Sequence, residues 1–175
     1  MGLREATAEL HSKAEKMEFN QRMFRGELSK KEYLYYLIQQ ASIFQCIEEH
    51  KSADIGPDLA RLTKVFQDIV ELSREVHDTF PTIQATAEYG IYLEGLKPKD
   101  LYPHIYLNYM ALMYGGQMIK SKVPGSGKMY DFDNVQESIA MIRGIQKDEW
   151  VNEVNKGFNY IINILDAVSY THLTL

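Results

Sequence analysis

A histidine near the amino terminus stands in a pattern that could bind a metal ion. His11 shares a helical face with Arg4 and Glu15, because residues three, four and seven positions apart lie on one side of a helix. Glu15 could accept a hydrogen bond from Nδ1 of His11, which would leave Nε2 free for a metal. Ala8 and Ala14 are small and leave room beside the imidazole. The alternative interpretation is that His11 is a polar residue at the edge of the buried face of this helix.

The second unusual segment is YMALMYGGQMIK at 109–120, where two adjacent glycines interrupt an apolar helix. A glycine costs about 1 kcal/mol relative to alanine inside a helix, so Gly115 and Gly116 need a compensating reason. A kink or close helix packing is one reason. The other is a backbone that lies against a flat ligand, where any side chain would collide. Tyr106 and Met110 precede the glycines, so such a ligand would be large and apolar with a polar rim.

Successive helices must position these residues, because apolar residues recur at three-to-four spacing and strict alternation is absent. The pattern predicts, in order, a helix over 3–17, one that begins at a Ser29–Glu32 capping box, one that begins at Gly56-Pro57, one that ends near Gly95, a long segment from Pro98 to about Lys122, one over 134–146 and one from Trp150. The third of these is predicted to bury Leu59, Leu62, Phe66, Ile69 and Val76. The fold class is therefore all-α.

Composition fits one folded domain in a chain of 175 residues, with 45% hydrophobic and 25% charged residues. A net charge of −5 argues against a nucleic-acid partner, which requires a basic surface. No signal peptide and no apolar run long enough to span a bilayer is present, so we expect a soluble, cytoplasmic protein without a membrane partner. We assign residues 1–168 to the helical domain. Residues 169–175 lose the helical period, which predicts a disordered or foreign tail.

The two segments together resemble the heme oxygenase family, and the resemblance extends to about residue 168. The opening LREATAELHSKAEKMEF is similar to the family's first helix, with the matching positions Leu10, His11, Ala14, Glu15, Glu18 and Phe19. YGGQMIK matches the family's distal Gly-Gly-Gln as Gly115, Gly116 and Gln117. The carboxy-terminal WVNEVNKGFNYIINIL resembles the family's last helix, with Phe158 at the position that faces the pocket.

The resemblance implies a fold in which heme b is sandwiched between the first helix and a glycine-kinked distal helix. His11 would be the proximal iron ligand, oriented by Glu15, and the two glycines would let the distal helix bend over the heme. Tyr106, Arg4 and Arg143 match positions near the heme propionates. The implied reaction uses molecular oxygen and a reductant to cleave heme at the α-meso carbon, giving biliverdin IXα, carbon monoxide and ferrous iron. Heme would thus be both cofactor and substrate.

The sequence departs from the family where the distal helix commonly reads Gly-Asp-Leu-x-Gly-Gly. Ala111 replaces the first glycine and Leu112 the acid, which in the family organises water beside bound oxygen. We hypothesise that Asn108, one turn earlier, helps to hold this distal water; a solvated helix residue is the alternative. The missing acid also motivates a rival function, a heme-binding carrier or sensor without turnover.

Family analogy implies ferredoxin as the electron donor and a downstream bilin reductase as a partner. The candidate residues for docking an acidic donor are Lys13, Lys16, Lys120 and Lys122.

A di-iron carboxylate site is disfavoured, because no histidine has a glutamate three positions before it. The remaining histidines, including His104, are predicted to cap helices or to face solvent. Cys46, at helical spacing, is interpreted as core filler.

Overall fold

Helices supply the regular secondary structure of residues 1–172, which are the residues that the structure, a computed structural model, describes. They are α1 (Leu3–Ala6), α2 (Ala8–Glu15), α3 (Glu18–Phe24), α4 (Lys30–Glu48), α5 (Gly56–Leu59), α6 (Leu62–Ser73), α7 (Gln84–Glu94), α8 (Pro98–Met113), α9 (Gly116–Ile119), α10 (Val135–Ile145) and α11 (Val151–His172). Short 3-10 turns cover Lys120–Lys122, Lys128–Tyr130 and Asp148–Trp150. The predicted all-α fold class is confirmed.

The helix predicted over 3–17 is two helices, α1 and α2, that meet at Thr7. The Thr7 hydroxyl donates a hydrogen bond of 2.9 Å to the carbonyl of Leu3, and its backbone leaves helical geometry with φ −107° and ψ 4°. Such local side-chain bonds compete with the helical ladder, which explains the interruption. The amide of His11 still bonds to the carbonyl of Thr7, so His11 lies in the first turn and a half of α2.

The predicted capping box opens α4: the Ser29 hydroxyl accepts from the amide of Glu32, and the Glu32 carboxylate accepts from the amide of Ser29. The helix predicted from Gly56-Pro57 is divided into α5 and α6, because the backbone of Ala60 leaves helical geometry with φ −54° and ψ 132°. The prediction that Phe66 points inward was wrong. Its side chain is 47% exposed, and Val65, Asp68 and Leu72 form the buried face of α6 instead.

The long helix α11 packs against α2, α3, α7 and α8, and it therefore connects the amino-terminal helices to the centre of the molecule. A small apolar cluster makes this connection, with the members Leu3, Ala14, Leu107, Trp150, Val154, Phe158 and Ile162. The helix continues to His172, past the boundary predicted after residue 168. The rest of the predicted tail, residues 173–175, lies outside the described residues. Among residues 1–172, no helix combines the length and the hydropathy needed to cross a bilayer.

Candidate active site

A cavity of about 760 Å³ lies between the amino-terminal helices, α8 with α9, α10 and α11. The candidate ligand-binding and catalytic residues proposed from the sequence line it: Arg4, His11, Glu15, Tyr106, Asn108, Met110, Gly115, Gly116, Arg143 and Phe158. Its volume is in the range of sites that enclose a small molecule or a cofactor. Residues that are more than a hundred positions apart in the chain thus surround one cavity.

The wall formed by α1, α2 and α3, here called the N-terminal wall, carries His11. The imidazole lies beside the ring of Phe158, with 5.7 Å between centroids, and its side chain is 56% exposed. Nε2 of His11 lies 3.2 Å from Oε1 of Glu15. Glu15 therefore contacts the other ring nitrogen from the one predicted. The predicted pairing of these side chains is present, but it runs through Nε2 of His11 and not through Nδ1. Of the small neighbours, Ala14 is buried and lines the cavity, whereas Ala8 is exposed.

Two guanidinium groups lie at the exposed rim of the cavity. Arg4 belongs to α1, and Arg143 reaches the cavity from the last turn of α10. Arg143 donates a hydrogen bond to the hydroxyl of Tyr114, and its guanidinium lies 5.3 Å from the centre of that ring. Burial raises the pKa of the Tyr106 hydroxyl, while the positive charges of Arg4 and Arg143 lower it in part. This rim is suited to anionic groups on a ligand whose body is apolar.

The helix break at the glycine pair has a cause that the sequence did not reveal. α8 ends at Met113, Tyr114 leaves helical geometry with ψ −82°, and α9 begins at Gly116. A Cβ at Gly116 would lie 2.5 Å from the buried ring of Tyr130. The same atom at Gly115 would meet only the carbonyl of Ala111, at 3.8 Å. Ring packing therefore requires the glycine at 116, whereas the space beside Gly115 is open. The hypothesis that one flat ligand explains both glycines needs this correction.

Asn108 belongs to a network of buried polar groups in α7, α8 and α11, here called the polar network. Its amide nitrogen donates to the hydroxyl of Tyr89 at 3.0 Å and to the carbonyl of His104 at 2.8 Å. The Tyr89 hydroxyl lies 2.7 Å from Nδ1 of His104, and Nε2 of His104 lies 3.0 Å from Oε1 of Glu153. The hydroxyl of Tyr92 donates to the same carboxylate oxygen. Asn108 and Tyr89 also line the cavity, so the network begins at its wall.

The prediction that His104 caps a helix or faces solvent was wrong. His104 lies inside α8 and is completely buried. Gly157 of α11 makes this possible, because a Cβ there would lie 3.0 Å from Nδ1 of His104 and 2.5 Å from Leu107. Burial lowers the pKa of His104, although the hydrogen bond to Glu153 offsets part of this effect. A glycine on the buried face of the last helix was the signal that could have indicated a bulky partner.

Comparisons with known proteins identify the family of this chain. The sequence pattern of the family described as heme oxygenase matches residues 1–156. The chain belongs to the heme oxygenase family. Heme oxygenase 1 of Bos taurus is 26% identical over 156 residues, which cover 76% of this chain and 54% of that protein. The chain thus spans about half the length of this curated relative.

Solved structures of heme oxygenases share the fold. Heme oxygenase-1 of the cyanobacterium Synechocystis, solved in complex with heme, has a TM-score of 0.80 and 19% identity, covering 98% of this chain and 92% of that chain. Heme oxygenase-2 of the same organism, in complex with heme and NO, has a TM-score of 0.82 and 19% identity, covering 95% and 83%. Heme oxygenase of Leptospira interrogans has a TM-score of 0.77 and 22% identity, covering 94% and 98%.

In this member of the family, the missing distal acid has a visible consequence. Leu112 is buried and lines the cavity, so the position that carries a carboxylate in the family's common motif is apolar here. Asn108 and Tyr89 are the polar groups that the neighbouring stretch of α7 and α8 presents to the cavity. Across the described part of the chain, no three His, Cys, Asp or Glu side chains are grouped so that they could hold a metal ion together.

Proposed function

We propose that this protein binds heme b in the cavity and cleaves it with molecular oxygen at the α-meso carbon, giving biliverdin IXα, carbon monoxide and ferrous iron. The observation that carries the proposal is the convergence, on one cavity of about 760 Å³, of an exposed histidine, two rim guanidiniums and an open space beside a helical glycine. Each of these groups answers one chemical feature of heme. Membership of the heme oxygenase family supports the same reaction.

The residues present fit heme group by group. The imidazole of His11 supplies the nitrogen ligand that heme iron takes in many proteins. Arg4 and Arg143 supply positive charge for two propionates at the rim. Met110 and Phe158 supply apolar surface for the macrocycle, and the space beside Gly115 admits a flat edge. When bound, heme supplies both the iron that activates oxygen and the porphyrin that is cleaved.

The side chains of this protein hold and orient the substrate. For Nε2 of His11 to bind iron, the imidazole must turn so that Glu15 meets Nδ1, and the exposure of both side chains permits this movement. A carboxylate behind a ligating histidine fixes its tautomer and increases its basicity. Tyr106, beside both guanidiniums, is placed to extend their hydrogen bonds to a carboxylate. Leu112 and Met110 present apolar surface to the cavity, and the polar side chains beside them are Asn108 and Tyr89.

A second candidate function is a heme carrier or sensor without turnover. Leu112 favours it, because the cavity lacks the carboxylate that organises water in the family's common motif. The two candidates predict the same complex with heme and differ only in the fate of that heme after reduction in the presence of oxygen. They are therefore separated by the product and not by the binding.

We propose reduced ferredoxin as the electron donor and a bilin reductase as the consumer of the product, both by analogy with the family. Lys13 and Lys16 lie on the N-terminal wall with no ion pair among the described residues, whereas Lys120 is paired with Asp131. The charge at Lys13 and Lys16 is thus more available to an acidic donor than the charge at Lys120. Replacing both with glutamate should raise the KM for ferredoxin and leave the affinity for hemin unchanged.

The decisive experiment is reconstitution with hemin followed by reduction. Purified protein is titrated with hemin, and ferredoxin, ferredoxin reductase and NADPH are then added in air. We expect a stoichiometric Soret band that decays as a bilin band grows, with a product that co-elutes with biliverdin IXα. The variant His50→Ala should behave like the wild type, because His50 bonds to the carbonyl of Leu96 and does not line the cavity. A stable heme spectrum would establish the carrier, and absence of hemin uptake would refute both candidates.

A further inference from the structure

The hydrogen bonds of the polar network can be assigned donor by donor, starting at Asn108. A side-chain amide has two N–H groups. In Asn108 these are directed to the Tyr89 hydroxyl oxygen, at 3.0 Å, and to the carbonyl of His104, at 2.8 Å. Both donors of Asn108 are therefore used inside the protein. Only its amide oxygen, a hydrogen-bond acceptor, remains for a molecule in the cavity.

The carboxylate of Glu153 fixes the tautomer of His104. Burial alone would raise the pKa of Glu153, but the hydrogen bonds from His104 and Tyr92 outweigh it, so that the pKa is lowered and the group is ionised at neutral pH. An ionised carboxylate only accepts hydrogen bonds, so Nε2 of His104, at 3.0 Å, must carry the proton. In the neutral imidazole Nδ1 is then an acceptor. It accepts a hydrogen bond of 2.7 Å from the hydroxyl of Tyr89.

These assignments leave the cavity without a donor from this stretch of wall when His104 is neutral. The Tyr89 hydroxyl has one proton, and that proton points away from the cavity, towards His104. If His104 gains a proton, Nδ1 becomes a donor to the Tyr89 oxygen. That oxygen then accepts from both His104 and Asn108, and its own proton must turn elsewhere. Because Tyr89 lines the cavity, the cavity is the direction left open.

We propose that His104 is a positioning residue whose protonation state sets the direction of the Tyr89 hydroxyl, so that the phenol donates a hydrogen bond into the cavity only when His104 is charged. Glu153, whose side chain is 16% exposed, links this histidine to the edge of the protein. The inference rests on the proposed function, because it gives the cavity a switchable donor where the family's common motif has an acid. Tyr89 and His104 thereby supply a hydrogen-bond donor to the cavity, which the apolar side chain of Leu112 cannot do.

The groups that face His104 support such a switch. From α11 they are Glu153, which stabilises the imidazolium, and Lys156, which opposes it. From α8 itself Asp100 adds a weaker negative charge. From α7 the rings of Tyr89 and Tyr92 lie 5.6 and 5.7 Å from the imidazole. Burial lowers the pKa of His104 below its ordinary value of 6.5, so the neutral form dominates at pH 7 and the charged form appears on acidification.

The first test reads His104 directly and needs no heme. Protein labelled with ¹⁵N-histidine is titrated by long-range ¹H–¹⁵N NMR, and the signals of His104 are assigned by their loss in H104Q. We expect the Nε2–H tautomer at pH 7 and protonation of Nδ1 on acidification. In E153Q the midpoint should fall, because the carboxylate that stabilises the imidazolium is removed. A protonated Nδ1 at pH 7 would overturn the proposal.

The second test asks whether the switch reaches the cavity. Fluoride affinity of the hemin-loaded protein is measured against pH for wild type, Y89F and H104Q, because an anionic ligand responds to a nearby donor. Relative to Y89F, wild type should bind fluoride about two- to tenfold more tightly below the His104 midpoint and equally above it, as expected for one hydrogen bond. H104Q should lose this step, and H50Q should retain it.

The outcomes separate this proposal from the proposed function. A fluoride ratio between wild type and Y89F that does not change with pH would overturn the switch, even if heme is bound and cleaved. Failure to take up hemin would refute the proposed function, whereas the NMR titration would still decide the state of His104. A purely structural network would lower the melting temperature of Y89F and H104Q without a step at the His104 midpoint, and it would also overturn the switch.

Discussion

Around the cavity, His11 and Glu15 stand on a short helix with about half of each side chain exposed, whereas Tyr89 and His104 are completely enclosed between α7, α8 and α11. The exposed pair has freedom to turn, which a group that must take hold of a large ligand requires. The enclosed pair has no such freedom, and each of its polar atoms has an assigned partner. The N-terminal wall is thus suited to binding a large ligand, and the polar network to hydrogen bonds whose direction is set within the protein.

The two regions also differ in how they are attached to the rest of the fold. The N-terminal wall is joined to α4 through a bidentate ion pair between Arg22 and Glu32, in which both side chains are largely buried. The polar network is joined through close helix packing, because Gly157 lets α11 approach His104 and Leu107. A largely buried ion pair therefore adds to the apolar packing of the exposed wall, whereas close helix packing holds the enclosed region.

The largest expected effect concerns the exposed wall. His11→Ala should lower hemin affinity at least about 100-fold, because loss of the partners behind a metal ligand already costs 10- to 100-fold and loss of the ligand itself should cost more. An optical hemin titration measures the affinity, and added imidazole should restore the spectrum. His50→Ala is the control. If H11A keeps the wild-type Soret band and affinity, hemin binding does not depend on the N-terminal wall.

The anchor of that wall should be sensitive to acid. Burial alone would raise the pKa of Glu32, but hydrogen bonds from Arg22 and Ser29 lower it to about 2 from an ordinary value of 4.5. The stabilisation is therefore complete above pH 4.5 and is lost as the pH falls towards 2. Allowing for solvent screening, we expect about 2 kcal/mol to be lost over this interval.

Urea unfolding of wild type and E32Q between pH 2 and 6 measures this contribution. The difference between the two proteins should shrink as the pH falls. E27Q is the matched control, because the Arg25–Glu27 pair is exposed and should add little. Curves for wild type and E32Q that run parallel at every pH would show that the ion pair does not anchor the wall.

The glycine pair at the junction of the two regions separates packing from ligand access. Gly116→Ala should lower the free energy of unfolding by about 1 to 2 kcal/mol, because its Cβ would meet the buried Tyr130 ring at 2.5 Å. Gly115→Ala, with only a carbonyl at 3.8 Å, should leave stability unchanged. Thermal unfolding measures both, and a loss of about 2 to 4 °C per kcal/mol is expected for G116A. Equal melting temperatures would contradict the role of Tyr130.

The sequence was sufficient for the His11–Glu15 pair, because both residues lie on α2, four positions apart. The Ser29–Glu32 capping box likewise depends on local order. Local order also predicted where most helices begin. It led to Nδ1 of His11 as the partner of Glu15, whereas Nε2 is in contact here, since that choice depends on the orientation of a half-exposed ring.

The enclosed region was beyond the sequence, because its polar residues have partners on distant elements. His104 is buried through Tyr89, fifteen positions earlier, and Glu153, forty-nine positions later. Asp68 is buried for the same reason, since its carboxylate accepts from the amides of Lys128 and Met129. Hydrophobic periodicity assigns polar residues to the surface and cannot indicate these pairs. The same limitation led to Phe66 being placed inside.

Substitution of Asn108 has the smallest expected effect and tests most specifically whether the N-terminal wall and the polar network have separate roles. Asn108→Ala removes one hydrogen bond to Tyr89 and the amide oxygen that faces the cavity, and we expect bilin yield to fall about two- to tenfold. Hemin affinity should not change, because binding is assigned to the exposed wall. Asn159→Ala, on the exposed side of α11, is the control. Wild-type yield in N108A would remove the enclosed region from turnover, whereas a loss of hemin affinity would show that the two regions are not separate in function.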